Sequence, residues 1–107
     1  MAYRMLIIAR MNQADRDAVA NLFAESDATD LPISLGARRR TLFQYHGLYL
    51  HLVEAETDFT DRLYEARRNP LFAEVNAKLS RYITPYDPNW KEPRDAMAEP
   101  FYTWTQP

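Results

Sequence analysis

The chain has 107 residues, of which 47% are hydrophobic and 26% charged, and its formal net charge is −2. This balance is typical of folded globular proteins, so it excludes disordered and fibrous classes and leaves no broad cationic surface for nucleic acid or anionic lipid. Because the chain has no cysteine, disulfide frameworks, thiolate metal sites and thiol nucleophiles are excluded as well.

The length predicts one domain that spans residues 1–107. A domain of this size buries somewhat more than about 60% of its unfolded surface, which makes a solitary fold marginal, so we expect a second copy to stabilise it in a homo-oligomer. The apolar run near the start is too short to span a membrane, and it has no small-residue cleavage pattern. We therefore expect a cytoplasmic protein with no membrane partner.

The first third of the chain predicts a strand, a helix and a connection. Residues 3–11 are mostly apolar and β-compatible, which favours a buried strand. Asn12 is a suitable cap for a helix that ends near Ser26-Asp27. The polar connection "DATDLP" follows, and Pro32 and Gly36 interrupt the approach to a second strand over about residues 37–45.

The remaining elements follow from turn and cap residues. His46-Gly47 predicts a two-residue hairpin turn before a third strand at 48–55. Thr57 predicts a short helix through Tyr64, and Asn69-Pro70 predicts the start of a second one, whose apolar stripe runs to Ile83. Residues 84–100 are a proline-rich connection without predicted structure, and 101–105 predict a closing aromatic strand.

The resulting order, β-α-β-β-α-β, predicts an α+β fold of the ferredoxin-like kind, with an antiparallel sheet and its helices on one face. The other face of such a sheet needs a cover. The simplest cover is the sheet of a second subunit, so we predict a homodimer of the dimeric α+β barrel type.

The hairpin "GARRRTLFQYHGLYLHLVEAE" carries three arginines and both histidines of the chain. A two-residue turn at His46-Gly47 pairs Leu42 with His51 and Arg40 with Val53, so Arg40 and His51 become diagonal neighbours on one face. A three-residue turn would place Arg39 beside His51 instead. A guanidinium stabilises oxyanions and an imidazole carries protons near neutral pH, a combination suited to carbonyl chemistry.

A purely structural interpretation of the same residues stays open. In it, Arg40 pairs with an acid such as Glu54 or Asp27, and His51 is a hydrogen-bonded wall of the core. Asp27 follows the first helix and is a candidate for the mouth of a cavity between helices and sheet, or a solvated helix-end acid.

Other site types receive little support from the sequence. Two histidines near one turn do not match a metal-site spacing, and two glycines provide no phosphate-binding loop, so we expect neither a metal nor a cofactor. Aromatic residues are numerous enough to wall a pocket for a planar polycyclic ligand, although core or interface packing is the alternative for each of them. The candidates are Tyr64, Tyr82, Tyr86, Trp90, Tyr102 and Trp104.

The stretch "LPISLGARRRTLFQYHGLYLHLVEAE" resembles the signature of the tetracenomycin-type aromatic polyketide cyclases. The segments "MAYR", "DRLYEARRNPLFAEVN", "YITPY" and "FYTW" resemble the same family in the same order, so the resemblance spans almost the whole chain. It implies a ferredoxin-like homodimer without a cofactor. It also implies late intramolecular aldol-type ring closure of a polyketide, with loss of water and aromatisation.

The resemblance implies that Arg40, His51 and Asp27 are pocket residues with catalytic roles. A further pocket histidine of the family falls at Ser26 here. We take Ser26, Phe23, Leu42 and Val53 as candidate substrate-binding residues. The predicted substrate is a polycyclic or poly-β-ketone small molecule.

Two other functions remain compatible with this fold. One is a cofactor-independent monooxygenase that oxidises an aromatic polyketide, because fold alone does not determine the reaction. The other is a binding subunit that only biases spontaneous cyclisation of a nascent polyketide.

Overall fold

Four strands form one antiparallel sheet in the computed structural model, which describes residues 3–107. The sheet has the order β2-β3-β1-β4, and its strands are β1 (Tyr3–Met11), β2 (Ala37–Tyr45), β3 (Leu48–Ala55) and β4 (Ile83–Pro85). The helices are α1 (Arg16–Asp27), α2 (Leu31–Leu35), α3 (Thr60–Ala66) and α4 (Pro70–Leu79). The predicted α+β ferredoxin-like fold is confirmed.

Two predicted helix starts are confirmed by side-chain caps. The Asn12 side chain accepts a hydrogen bond from the Ala14 amide and begins a 3-10 turn that leads into α1. The Asn69 side chain accepts from the Leu71 amide, and proline occupies the first position of α4. Each cap satisfies a backbone donor that has no partner within the helix.

Two local predictions in the helical regions are wrong. The connection before β2 contains the short helix α2, in whose first turn Pro32 is tolerated because the N–H it lacks would be unpaired there. Gly36, with a φ of 84°, ends that helix in the left-handed conformation that glycine favours. Helix α3 begins at Thr60 and not near Thr57, because the Asp58 side chain accepts from the Thr60 amide and hydroxyl.

The predicted closing strand is also wrong. Residues 101–107 have no regular structure, and the Phe101 side chain is 97% exposed. The fourth strand is β4, which lies immediately after α4 and pairs with Ala9–Met11. Residues 84–100 are correspondingly less irregular than predicted, because they include the end of β4, a 3-10 turn (Pro93–Ala96) and a bridge from Met97 to Ile7.

The two faces of the sheet have different surroundings. The inner face carries alternate residues of β1 and β3, which pack under the helices in two apolar clusters. The buried members of the first cluster are Met5, Val53, Ala55, Phe59 and Leu63. Those of the second are Ala9, Met11, Val19, Phe23 and Tyr49. The outer face has no covering element among residues 3–107, and Phe43 and Tyr45 on it are 50% and 64% exposed.

No helix within residues 3–107 is both long enough and apolar enough to cross a membrane.

Candidate functional site

The hairpin of β2 and β3 sets the register of the site. His46 and Gly47 both have positive φ, 45° and 80°, as the tight two-residue turn requires, and His46 is exposed. Leu42 lies opposite His51, and Arg40 lies opposite Val53. The predicted register is confirmed, and Arg40 and His51 share the inner face, whereas Arg39 points to the outer face near Glu54.

Arg40 joins the end of α1 to the sheet. Its Nε donates to both carboxylate oxygens of Asp27 at 3.1 and 3.2 Å, and its Nη2 donates to Oδ1 at 2.9 Å. Its Cζ lies 4.7 Å from the centre of the Phe23 ring, a cation–π contact that fixes the guanidinium from a second side. The side chain of Arg40 is only 17% exposed, so this ion pair is partly shielded from water.

His51 extends the same chain of hydrogen bonds into the core. Its Nε2 lies 2.8 Å from Arg40 Nη1, and its Nδ1 lies 2.9 Å from the Tyr49 hydroxyl. The imidazole also meets the Phe23 ring edge to face, with 5.1 Å between ring centres. His51 is 7% exposed and Tyr49 is 4% exposed. Asp27, Arg40, His51 and Tyr49 therefore form one continuous relay from the surface to the core.

The hydrogen-bond donor beside His51 determines which tautomer its ring adopts. A guanidinium has no acceptor, so Arg40 must donate to Nε2, and Nε2 must carry a lone pair. The single proton of the neutral ring is then on Nδ1, which donates to the Tyr49 hydroxyl oxygen. Burial, and after it the positive charge of Arg40, lowers the pKa of His51 to about 3. His51 is therefore neutral in the resting protein at physiological pH.

A cavity of about 460 Å³ opens beside the relay, between the inner face of the sheet and the helices. Its wall is largely apolar, with Met5, Ala9, Leu35, Phe59, Phe72 and Leu79 among the contributors. Arg40, His51 and Tyr49 are polar groups on this wall. Small-molecule sites usually have such a form, an apolar pocket with a few convergent polar groups.

The structure separates the sequence candidates into two groups. Arg40, His51, Ser26, Phe23 and Val53 line the cavity, and Ser26 is buried at the end of α1. Asp27 and Leu42 are not on the cavity wall. Asp27 is 39% exposed and contacts Arg40 from behind, while Leu42 packs beside the second apolar cluster.

The structural alternative is thus compatible with the functional one. Arg40 does pair with Asp27, and His51 is hydrogen-bonded within the wall of the core, yet both side chains border the cavity. Of the aromatic candidates, Trp90 lines the cavity and Tyr82 packs against the second cluster. Tyr102 and Trp104 are exposed, at 78% and 69%.

The segment from Trp90 to Pro93, within the proline-rich connection, forms part of the cavity wall. Glu92 accepts a hydrogen bond of 2.8 Å from the Tyr64 hydroxyl of α3. Tyr64 also lies within cation–π distance of Arg67 and Arg94, at 5.7 and 5.8 Å. The contacts of Tyr64 with Glu92 and Arg94 connect this region to α3.

Tyr49 is a residue of the site to which the sequence analysis assigned no role. It precedes His51 by two positions in a strand, so the two side chains share a face. That spacing could have identified it as a partner of the histidine. Among residues 3–107, no group of three or more histidine or acidic side chains is placed to hold a metal ion.

Comparisons with known proteins show which family the chain belongs to. The family model "Polyketide synthesis cyclase" matches residues 3–105. Tetracenomycin F2 cyclase of Streptomyces glaucescens is 53% identical over all of this chain and 98% of its own length. Its solved structure superimposes with a TM-score of 0.94, covering 99% of this chain and 100% of that one.

Two other Streptomyces proteins are similar over most of their lengths. An uncharacterised protein of Streptomyces coelicolor is 40% identical over 95% of this chain and 94% of its own. Polyketide synthase CurG of Streptomyces cyaneus is 37% identical over 95% of this chain and 96% of its own. The chain belongs to the polyketide synthesis cyclase family, and it is an enzyme of the cyclase type.

Proposed function

We propose that this cyclase closes a ring in an aromatic polyketide by intramolecular aldol-type condensation, followed by loss of water and aromatisation. The observation that carries the proposal is the relay from Asp27 through Arg40 and His51 to Tyr49 on the wall of an apolar cavity. The relatives named above as a cyclase and a polyketide synthase support this class of substrate.

The cavity supplies orientation. A poly-β-ketone has acidic methylenes between carbonyls, so the main difficulty is to select which carbon meets which carbonyl. A cavity of about 460 Å³ with apolar walls folds such a chain into one near-attack arrangement, and such positioning can contribute about 7–11 kcal/mol to lowering a barrier.

Arg40 stabilises the developing oxyanion. A guanidinium has five N–H donors, and the contacts with Asp27 and His51 occupy one each on Nε, Nη1 and Nη2. Two N–H groups are therefore free to bind a substrate oxygen at the cavity wall. Because the charge is fixed before the reaction, its stabilisation of an enolate needs little reorganisation.

His51 carries protons at Nε2. In the resting protein the Nε2 lone pair accepts a hydrogen bond from Nη1 of Arg40. When a substrate carbonyl takes over this Nη1 donor, the lone pair becomes available to an acidic methylene. Later the same nitrogen protonates the departing hydroxyl group. Positioned side chains of this kind typically accelerate proton transfer by about 10²–10⁴-fold.

Asp27 and Ser26 act at the end of α1. Asp27 holds Arg40 through two hydrogen-bonding nitrogens, so its role is to position the guanidinium. Ser26 borders the cavity and contacts the substrate there together with Phe23 and Val53. Because no base is present at position 26, the auxiliary acid-base group that the family resemblance implied for this position is replaced by a small hydroxyl.

The proposed assembly is a homodimer in the cytoplasm. Its support is the uncovered outer face of the sheet, where Phe43 and Tyr45 are at least half exposed. The sheet of a second subunit packed on this face would bury these side chains, so that both faces of each sheet would be covered.

Turnover with a preformed linear or partly cyclised aromatic polyketide tests the proposal. A catalyst converts many equivalents of substrate per protein, and the conversion slows in an Arg40→Ala variant but not in an Arg39→Ala variant, whose side chain lies on the outer face. A yield that never exceeds one equivalent would show a binding subunit and contradict the proposed catalysis.

A further inference from the structure

The Tyr49 hydroxyl has a proton that makes no hydrogen bond to the other members of the relay. Its oxygen accepts the hydrogen bond from Nδ1 of His51, because Nδ1 carries the only ring proton. No other hydrogen bond of this hydroxyl is found among residues 3–107. Tyr49 also lines the cavity, so its O–H is available to a bound molecule.

We infer that Tyr49 is a further catalytic residue, the acid that protonates the substrate oxygen during ring closure. This inference rests on the proposed aldol-type reaction. In that reaction a C–H proton leaves one carbon, a C–C bond forms, and the attacked carbonyl oxygen gains a proton. The pair of His51 and Tyr49 can perform this exchange, because Nε2 of His51 accepts a proton and the Tyr49 hydroxyl donates one.

The proton movements balance. The methylene C–H bond breaks as its proton goes to Nε2 of His51, and the carbon attacks the carbonyl. The Nδ1 proton of His51 passes to Tyr49, whose own O–H proton passes to the new alkoxide. The ring stays neutral throughout and changes only its tautomer. In the dehydration, Nε2 gives its proton to the departing hydroxyl, which leaves as water, the Tyr49 proton returns to Nδ1, and the Tyr49 oxygen takes up the second C–H proton of the carbon that attacked. Both groups are then back in their resting states.

This route agrees with the surroundings of both groups. A buried, neutral His51 whose pKa is lowered to about 3 is a poor holder of an extra proton, and the relay never requires it to hold one. Burial raises the pKa of Tyr49, an effect that Arg40 opposes, so the hydroxyl stays protonated and able to donate. The other ionisable groups nearby are Asp27, beyond Arg40, and Tyr82, which packs against the same cluster. The cavity wall also carries Arg67, Lys91 and Glu92.

The first test uses Tyr49→Phe, which keeps the buried ring and removes only the hydroxyl. We expect ring closure to slow by about 10²-fold, the lower end of the usual general-acid contribution. Tyr102→Phe is the matched control, because Tyr102 is 78% exposed and is not on the cavity wall. An unchanged rate in Tyr49→Phe would overturn the inference.

The second test separates acid catalysis from positioning of His51. Replacing Tyr49 with 3-fluorotyrosine retains the hydrogen bond but makes the phenol more acidic. If Tyr49 is the acid, a more acidic phenol should donate its proton more readily, so the rate of ring closure at neutral pH should rise in this variant. An unchanged rate together with a slow Tyr49→Phe would show that Tyr49 only orients the imidazole.

The third test needs no substrate. Nitrogen-15 NMR of the resting protein should show His51 as the neutral Nδ1–H tautomer, with Nε2 as the acceptor. The Nε2–H tautomer would overturn the relay even if the protein proved to be an active cyclase. Conversely, the expected tautomer in a protein that closes no ring would refute the proposed function separately.

Discussion

At the scale of single residues, Arg40 connects three parts of the site. It binds Asp27 at the end of α1, His51 on β3 and the face of Phe23, and it still has two N–H groups to offer to a substrate. Only a planar, forked donor can make these contacts together, so lysine is not an equivalent residue here.

We therefore predict that Arg40→Lys lowers kcat by about 10²-fold, the usual effect of removing an oxyanion donor, although the positive charge is retained. Steady-state kinetics with an aromatic polyketide substrate measures this. Arg39→Lys is the control, because Arg39 lies on the outer face and is 68% exposed. Equal activity of the two variants would mean that charge alone suffices at position 40.

His51 makes a second prediction at this scale, on stability against pH. Its pKa is about 3 in the folded protein and about 6.5 when unfolded, so between these values the unfolded chain binds more protons. Stability should therefore fall as the pH drops from 6.5 toward 3, by at most about 1.4 kcal/mol per pH unit from this group.

The measurement compares urea unfolding of the wild type and His51→Gln at one protein concentration over this pH range. Carboxylates titrate in both proteins, so the difference between them isolates His51. We expect the wild type to lose stability more steeply on acidification. His46→Gln is the control, because His46 is exposed in the turn, and it should follow the wild type. Parallel curves for wild type and His51→Gln would contradict the burial described for His51.

At the scale of elements, the hairpin could be predicted from the sequence, but the fourth strand could not. A two-residue turn and the alternation of side chains fix which residues of β2 and β3 share a face, so the pairing of Arg40 with Val53 followed from counting. The strand β4 has only three residues and ends in proline, so it carries almost no β pattern.

For helix α2 and for the contacts of Arg40 and Tyr49, the sequence alone does not decide between alternatives. Pro32 and Gly36 are common breakers, but they also suit the first turn and the end of a short helix, and the sequence does not distinguish these uses. The contact between Asp27 and Arg40 was one of two pairings considered, since only the packing of α1 on the sheet decides it. The free proton of Tyr49 depends on the tautomer of His51, which no sequence pattern encodes.

The segment of the cavity wall that includes Trp90 and Glu92 makes a prediction at this scale. The hydrogen bond from Tyr64 to Glu92 ties this segment to α3, beside the cation–π contact of Tyr64 with Arg94. We predict that Tyr64→Phe increases deuterium exchange in residues 90–96 while exchange in the hairpin stays unchanged, because an exposed bond of this kind restrains its own segment more than the whole fold.

Hydrogen–deuterium exchange with mass spectrometry measures this, with Tyr45→Phe as the control for loss of an exposed tyrosine hydroxyl. Unchanged exchange at 90–96 would show that the apolar contacts of Trp90 and the capping box of Glu92 and Asp95 suffice to hold the segment.

At the scale of the whole molecule, the sheet has one face packed under helices and one face uncovered among residues 3–107. The outer face carries Leu6 and Ile8 of β1, Leu50 and Leu52 of β3, and Phe43 on the edge strand β2. A contiguous apolar surface of this kind typically marks an interface, which is the physical basis for the proposed homodimer.

We predict that Phe43→Glu converts the dimer into a monomer, because a symmetric interface would place this charge in it twice. Size-exclusion chromatography with light scattering should report twice the mass of one chain for the wild type and a single chain mass for the variant. Ala73→Glu on the exposed side of α4 is the control. A monomeric wild type would contradict the proposed assembly.

We propose that this cyclase closes a ring with loss of water through the pair of Arg40 and His51. The most direct measurement is mass-resolved product analysis of aromatic polyketide intermediates incubated with the protein, under nitrogen and in air, beside an Arg40→Ala/His51→Ala variant. We expect a product lighter by one water, formed equally in both atmospheres and more slowly by the variant. A product that gains oxygen, and only in air, would make the enzyme a monooxygenase and contradict the mechanism.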